Sequence, residues 1–143
     1  MTLDELVQTL PNGFHDMQVC SVELDYLAGT AKLNVQLLVG WPQGPEPERQ
    51  EYQGAVLTIN GLCFWSMDPP DPSYPFLPDG EPIMASGYSA KLDDLPSLAK
   101  LSAKFPAGVW IYDLFVQDWN AYIRFAARDA EVSWIGPKPK HAR

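Results

Sequence analysis

One pair of adjacent residues near the start of the chain has the composition of an acid–base site. His15 is followed directly by Asp16, and the other of the two histidines, His141, lies close to the last residue. A carboxylate beside an imidazole can orient the ring and stabilise its protonated form, as a general base requires. The same pair can instead close the junction between a helix and a strand, which is the role we favour. His15 and Asp16 are therefore the candidate catalytic residues, without a reaction assigned to them.

The sequence motifs of other common catalytic and cofactor sites are absent from this chain. The motifs GxSxG, GxGxxG, the Walker loop and HExxH do not occur. Cys20 and Cys63 are isolated, without a CxxC pair or histidines at ligand spacing, so we expect buried free thiols rather than a disulfide. Two carboxylates could perform glycosidase-like chemistry, but the sequence gives no reason to pair any two. We expect no structural metal and no cofactor.

Aromatic residues in loops are the second group of candidates, in this case for binding. Of five tryptophans, Trp119 is expected at a loop tip beside Asn120, where it could contact a ligand. Residues 68–82 contain six prolines, which exclude an interior strand or a helix. Because Tyr74 and Phe76 lie among these prolines, we expect an ordered segment laid over the domain, with one of the two rings at least half buried. A flexible loop or a PxxP-like ligand is the alternative.

Composition and charge limit the class of protein. A chain of 143 residues with 46% hydrophobic residues suits one domain, which we place at residues 1–136 with a basic solvated tail at 137–143. The formal net charge of −8 disfavours nucleic acid and anionic membranes as partners. No signal peptide and no apolar run of membrane-spanning length is found, so we expect a soluble cytoplasmic protein. A protein or small-molecule partner, and a homodimer through an exposed β-edge, both remain open.

Hydrophobic periodicity predicts a mainly β domain. The stretch TLDELVQTLPNG predicts one short helix with a capping box, and a second short helix is expected from about Leu95, capped by Asp93 or Asp94. Residues 52–67 are either a hairpin with a turn at Asn60 and Gly61 or one strand bent at Gly61. The expected fold is a single antiparallel sandwich or barrel-like domain of about six or seven strands, with α+β as the alternative.

Alternation of apolar and polar residues also predicts strand registers. In the first hairpin Asp25 pairs with Thr30, which places Leu24, Val22 and Cys20 opposite apolar residues of the second strand. Near the end of the chain a meander of three strands is expected, with loops at 117–120 and 127–130. The predicted pairs are Val116/Ala121, Leu114/Ile123, Tyr112/Phe125, Trp110/Ala127, Ala126/Glu131, Phe125/Val132 and Ile123/Trp134. This register places Asp113 opposite Arg124 as a structural ion pair, on the face that is not apolar.

Three stretches carry a family resemblance: LPNGFHDMQV with VELDY, LTINGLCFW with DPPDPSYPF, and FVQDWNAYIRFAARDAEVSW. There the chain resembles a small family of uncharacterised, mainly bacterial proteins with a GFHD opening, a DPPDP segment followed by tyrosine, and DWNA and AARDA motifs near the end. The resemblance spans most of residues 10–135 and implies one intact domain. It assigns no activity, ligand or functional residue.

These observations favour a small binding or interaction module. Its binding residues would be His15, Asp16, Trp119 and Asn120 at one end of the sheet, or the segment 68–82. The alternative is a small cofactor-independent enzyme of hydrolase type, with His15 as base and Asp16 or another carboxylate as its partner. His15 in a concave pocket with a second titratable group within hydrogen-bond reach would favour the enzyme. His15 satisfied by backbone, with a flat or grooved apolar patch elsewhere, would favour the module.

Overall fold

The computed structural model describes residues 1–41, 43–46, 48–73, 82–90 and 99–143. These described residues form eight antiparallel strands in one unclosed sheet, which confirms the mainly β prediction. The strands are β1 Met17–Asp25, β2 Thr30–Leu38, β3 Tyr52–Asn60, β4 Phe64–Met67, β5 Ile83–Ala90, β6 Trp110–Val116, β7 Ala121–Ala127 and β8 Asp129–Trp134. Their hydrogen-bonded order is β4-β7-β6-β5-β1-β2-β3-β8.

Helical structure in these described ranges is confined to short segments. They are α1 Leu3–Val7, α2 Ala99–Ser102, and 3-10 turns at Glu48–Gln50 and Gln117–Trp119. The predicted capping box forms at α1, because Glu5 N–H donates to Thr2 Oγ1 over 3.2 Å and Thr2 N–H donates to Glu5 Oε2 over 2.7 Å. The proposed caps of the second helix, Asp93 and Asp94, lie outside the described residues.

Two sharp bends give the sheet its curl. β3 pairs with β8 and β4 pairs with β7, so residues 52–67 form one bent strand rather than a hairpin. At the bends Arg128 N–H donates to Asn60 O over 3.1 Å, and Cys63 N–H donates to Ala126 O over 2.9 Å. Gly61 permits the turn, since its φ of +62° is costly for residues with a Cβ. The bends, together with the unpredicted β5, raise the strand count above the expected six or seven.

The concave side of the curled sheet encloses one apolar core. Residues from β2, β3, β6 and β7 alternate into it, and the leucines of α1 cover part of it. The largest fully buried side chains are Phe125, Leu3, Met17, Leu33, Leu37, Leu57, Ile59, Leu114, Ile123, Val35 and Val116. A single curled sheet therefore encloses a core of the kind that lies between the two packed sheets of a sandwich.

The predicted register of the first hairpin holds only as far as Ser21. Asp25 pairs with Thr30, Leu24 with Ala31 and Val22 with Leu33, but a bulge at Cys20 makes Val19, not Cys20, the partner of Val35. The extra residue turns Cys20 outward. The expectation of buried thiols was wrong, since Cys20 and Cys63 are both free and exposed.

Of the two strand pairings predicted for the C-terminal meander, one is present. The register of β6 and β7 is confirmed, with Val116 opposite Ala121 and Asp113 opposite Arg124. The predicted β7/β8 hairpin was wrong, because β8 pairs with β3 and places Glu131 opposite Thr58. The chain bends at Arg128 without reversing.

The C-terminal tail, residues 137–143, lies against the domain instead of extending into solvent. Arg143 N–H donates to Thr9 O over 2.8 Å, and Gln53 Nε2 donates to Pro137 O over 2.6 Å. The His141 ring lies 4.7 Å from the Trp41 ring, measured between centroids. These contacts hold the tail beside the end of α1.

Gly87 in β5 provides the first testable expectation. A Cβ at Gly87 would lie 2.6 Å from Cε1 of Tyr112, whose side chain is buried in the core. We expect Gly87→Ala to lower the free energy of unfolding by about 1–3 kcal/mol, because a packed ring cannot move away. Gly54→Ala in β3 is the matched control, since its nearest neighbour is the flexible end of Gln36 at 3.3 Å. Equal denaturant midpoints for the two variants would contradict this account of the packing.

Candidate functional site

The loop that carries His15 is fixed to the end of β2. Asn12 Nδ2 donates to Leu38 O over 2.8 Å and to Gly40 O over 3.0 Å. Gly13 turns the chain with a φ of +55°. The loop therefore has a defined position although it lies outside the strand ladder.

Asp16 is the centre of a polar cluster at this end of the sheet. Its backbone N–H donates to Ser86 Oγ over 3.2 Å, and its carbonyl oxygen accepts from Tyr52 Oη–H over 3.0 Å. Its carboxylate Oδ1 accepts from Gln117 Nε2, also over 3.0 Å. Burial, followed by the negative charge of Asp16, raises the pKa of Tyr52 and keeps that phenol a donor. Asp16 has a φ of +49°, an uncommon value that the surrounding bonds maintain.

The imidazole of His15 is oriented by this fixed carboxylate. His15 Nδ1 lies 3.0 Å from Asp16 Oδ2, and the His15 side chain is 70% exposed. An open depression of about 480 Å³ lies beside it, lined by Asn12, His15, Asp16, Leu38, Gly40 and Arg49. We call this the His15 depression. With Nδ1 held by Asp16, Nε2 is the ring nitrogen available to a ligand or a proton.

A nucleophile aligned with His15 is not found in the described residues. Ser86 is buried, and the contacts of its Oγ run to Asp16 N–H and, over 3.4 Å, to Gln117 Nε2. Ser86 therefore supports Asp16 and does not form a serine–histidine pair. Nor does the described part of the chain contain three or more His, Cys, Asp or Glu residues grouped to hold a metal ion.

Two of the other predicted binding residues, Trp119 and Asn120, lie in the described part of the chain. Trp119 is partly buried and packs against the core. Asn120 ends the 3-10 turn with a φ of +47°, and its Nδ2 donates to Asp71 Oδ2 over 3.1 Å. Both residues contact the start of the Pro-rich segment, since Trp119 O also accepts from Asp71 N–H over 2.8 Å. Tyr74 and Phe76 lie outside the described residues.

Asp113 and Arg124 form the predicted pair, and a third group joins them. Arg124 Nε lies 3.3 Å from Asp113 Oδ1, and Arg124 Nη1 lies 3.3 Å from Asp68 Oδ2. The side chains of Arg124 and Asp113 are 20% and 15% exposed. Burial raises the pKa of Asp113, Arg124 opposes that rise, and Asp68 adds to it. Arg124 thus connects the first residue of the Pro-rich segment to the sheet.

Arg49, which lines the His15 depression, was not indicated by the sequence, and neither were the three residues that fix Asp16: Gln117, Ser86 and Tyr52. These three come from the β6/β7 turn, β5 and β3, and they meet at Asp16 only because the sheet curls. Because they are far apart in the sequence, no short motif could have predicted that they meet.

No family model, no curated protein and no solved structure matches the chain. Within the described ranges, no helix has the length and apolar character needed to cross a membrane.

Proposed function

We propose that the protein is a small binding module whose ligand is a small molecule with a carboxylate or phosphate group. The observation that carries the proposal is the oriented imidazole of His15 in a depression that also contains Arg49. Guanidinium and imidazole donors are the groups that proteins use to recognise these anions.

The depression is built before a ligand arrives. Asp16 is fixed by contacts from β3, β5 and the β6/β7 turn, while Asn12 fixes the loop to β2. Side chains on such a support lose little conformational entropy when a ligand binds, which favours affinity.

The charges around the depression set the kind of ligand. Arg49 Nη2 contacts Glu46 Oε1 over 2.9 Å through one guanidinium nitrogen, so a bidentate anion can engage the remaining donors. Asp16 and Glu46 each stand beside a cationic or basic group, which limits their repulsion of an incoming anion.

Binding is tested by NMR titration with acetate, inorganic phosphate and phenyl phosphate. We expect saturable shifts of the His15 ring signals, and loss of those shifts in Arg49→Ala. His141 is the matched control, since it is also exposed but contacts Trp41 away from the depression. Equal shifts at both histidines, or unchanged shifts in Arg49→Ala, would mean that the depression is not an anion site.

The second candidate function is that of a hydrolase-like enzyme. The observation that favours it is the contact of Asp16 Oδ2 with His15 Nδ1, since it leaves Nε2 to accept a proton from an attacking water. Asp16 would orient the ring and stabilise the imidazolium.

The variant His15→Ala separates the two functions. Because the side chain is 70% exposed and Asp16 keeps its bond to Gln117, we expect a stability loss below about 1 kcal/mol. Turnover of chromogenic carboxylic and phosphate esters that disappears in this folded variant would establish the enzyme. Anion binding without turnover would establish the module.

A further inference from the structure

A second surface lies at the opposite end of β1 from His15. The turn between β1 and β2, residues 26–29, presents Tyr26 and Leu27 with relative exposures of 92% and 102%. The turn is ordered by Asp25, whose Oδ1 accepts from Leu27 N–H over 3.0 Å and from Ala28 N–H over 2.9 Å. The hydrogen bonds that order the turn come from Asp25, so the exposed side chains of Tyr26 and Leu27 do not take part in them.

A concave apolar surface adjoins these side chains. The depression of about 240 Å³ is lined by Leu24, Asp25, Tyr26, Gly29, Thr30, Leu62, Cys63, Phe64 and Trp65. We call it the hairpin groove. Leu62 N–H donates to Gly29 O over 2.9 Å and joins the two walls. Trp65 stacks on Phe125 in the core, with centroids 5.4 Å apart, so the floor is rigid.

The charge of the groove indicates which occupant fits. Among the described residues that line it, Asp25 alone is charged, while Arg128 acts on Cys63 from outside the lining, and the chain has a formal net charge of −8. Long-range attraction therefore favours a basic partner, while a second copy would bring the same negative charge and a second Asp25 to the contact. Apolar walls with an acidic residue at the side complement an apolar segment that carries lysine or arginine.

We propose that the hairpin groove binds an apolar peptide segment of another protein, flanked by lysine or arginine residues. Tyr26 and Leu27 cover one side of the segment, and Phe64 and Trp65 form the surface beneath it. Asp25 supplies the charge that selects basic over acidic flanks. The proposal is independent of the His15 depression and does not require it to be functional.

The two exposed cysteines allow a site-specific test on the full chain. Cys63 lines the hairpin groove, whereas Cys20 lies in the β1 bulge and is not among the residues that line it. Burial raises the pKa of Cys63, so each thiol is compared with its own rate in the free protein. The probe is a synthetic peptide with a Leu-Phe-Leu centre and lysines on both sides, and the matched peptide carries glutamates instead. Iodoacetamide labelling of both thiols is followed by mass spectrometry.

We expect the lysine peptide, at about ten times its dissociation constant, to slow the labelling of Cys63 about tenfold by mass action, with Cys20 unchanged. The glutamate peptide should not protect Cys63. The double variant Tyr26→Ser/Leu27→Ser should lose the protection, while Ile135→Ser, at a residue 62% exposed and outside the groove, should keep it.

Other results would overturn the proposal. Equal protection by both peptides would show apolar adsorption without charge selection. Protection of Cys63 that rises with protein concentration in the absence of peptide, together with a dimer in sedimentation, would make a second copy the occupant. No protection by the lysine peptide at any concentration would mean that the groove is not a peptide site.

Discussion

Replacing Phe125 with alanine is expected to lower the free energy of unfolding by about 3–5 kcal/mol. Phe125 is fully buried, and its ring centroid lies 5.4 Å from that of Trp65, 5.9 Å from that of Trp110 and 6.0 Å from that of Tyr112. The three large rings, Trp65 on β4 and Trp110 and Tyr112 on β6, are held by the strand ladder and cannot collapse together into the space that Phe125 leaves. The loss therefore includes a cavity as well as the transfer free energy of the ring, and it is measured by chemical denaturation.

Two further variants show whether the cavity causes the loss. Phe125→Leu keeps most of the volume and should lie between the wild type and Phe125→Ala. Met67→Ala, at a residue 58% exposed, should change stability by no more than about 0.5 kcal/mol. If Phe125→Ala lost no more stability than Met67→Ala, Phe125 would not be the centre of the core.

The parts of the fold that follow local rules could be predicted from the sequence. The capping box at Thr2 and Glu5 requires only the spacing of those two residues. The register of β6 and β7 follows from one short turn and from alternation, since a slip by one residue would move Leu114 and Tyr112 out of the core.

The remaining parts depend on contacts distant in the chain. After Ala127 a reversal and a bend are equally compatible with alternation, and the partner of β8 is decided by β3, which bends beside it at Gly61. The bulge at Cys20 shifts the inward-facing positions of β1 by one residue. Met17 and Val19 therefore point into the core, whereas uninterrupted alternation from Val22 would place Cys20 there. A single extra residue leaves no mark in hydrophobic periodicity.

The candidate site was predictable in the same partial way. Adjacent His15 and Asp16 can be found by inspection, and their contact needs no tertiary structure. The residues that fix Asp16 cannot be found by inspection of the sequence, since Gln117, for example, is 101 positions away in the chain. The exposure of His15 depends on the same packing, and for that reason we expect its removal to affect function more than stability.

Replacing Arg124 with methionine is expected to lower the free energy of unfolding by about 2–4 kcal/mol at neutral pH. The change removes the cation but keeps an apolar side chain against the Tyr122 ring, over which the guanidinium carbon lies at 4.5 Å from the centroid. Asp113, at 15% exposed, is left without its ion pair, and Asp68 loses its ion pair while its N–H still donates to Tyr122 O over 2.9 Å. Partial exposure of the pair places this loss below the upper limit for a fully buried one.

The pH dependence of this variant distinguishes the role of Asp113 from loss of packing. Burial raises the pKa of Asp113 above its unfolded value of about 3.8, so the folded state binds a proton more tightly. Its ionisation therefore lowers stability as pH rises from that value through the folded pKa. Without Arg124 to oppose the rise, the folded pKa moves higher and the loss at neutral pH grows. We expect the difference between wild type and Arg124→Met to shrink in acid, where Asp113 is protonated in both.

Adding Asp113→Asn to Arg124→Met isolates the charge. An amide at position 113 needs no cation, so the double variant should lose less stability than the sum of the two single variants, and its loss should depend less on pH. Arg124→Lys is the conservative control. It keeps the charge but has one nitrogen for two carboxylates, so its stability should lie between wild type and Arg124→Met. Additive losses, or a loss in Arg124→Met that is the same in acid as at neutral pH, would mean that Arg124 acts through packing and does not neutralise Asp113.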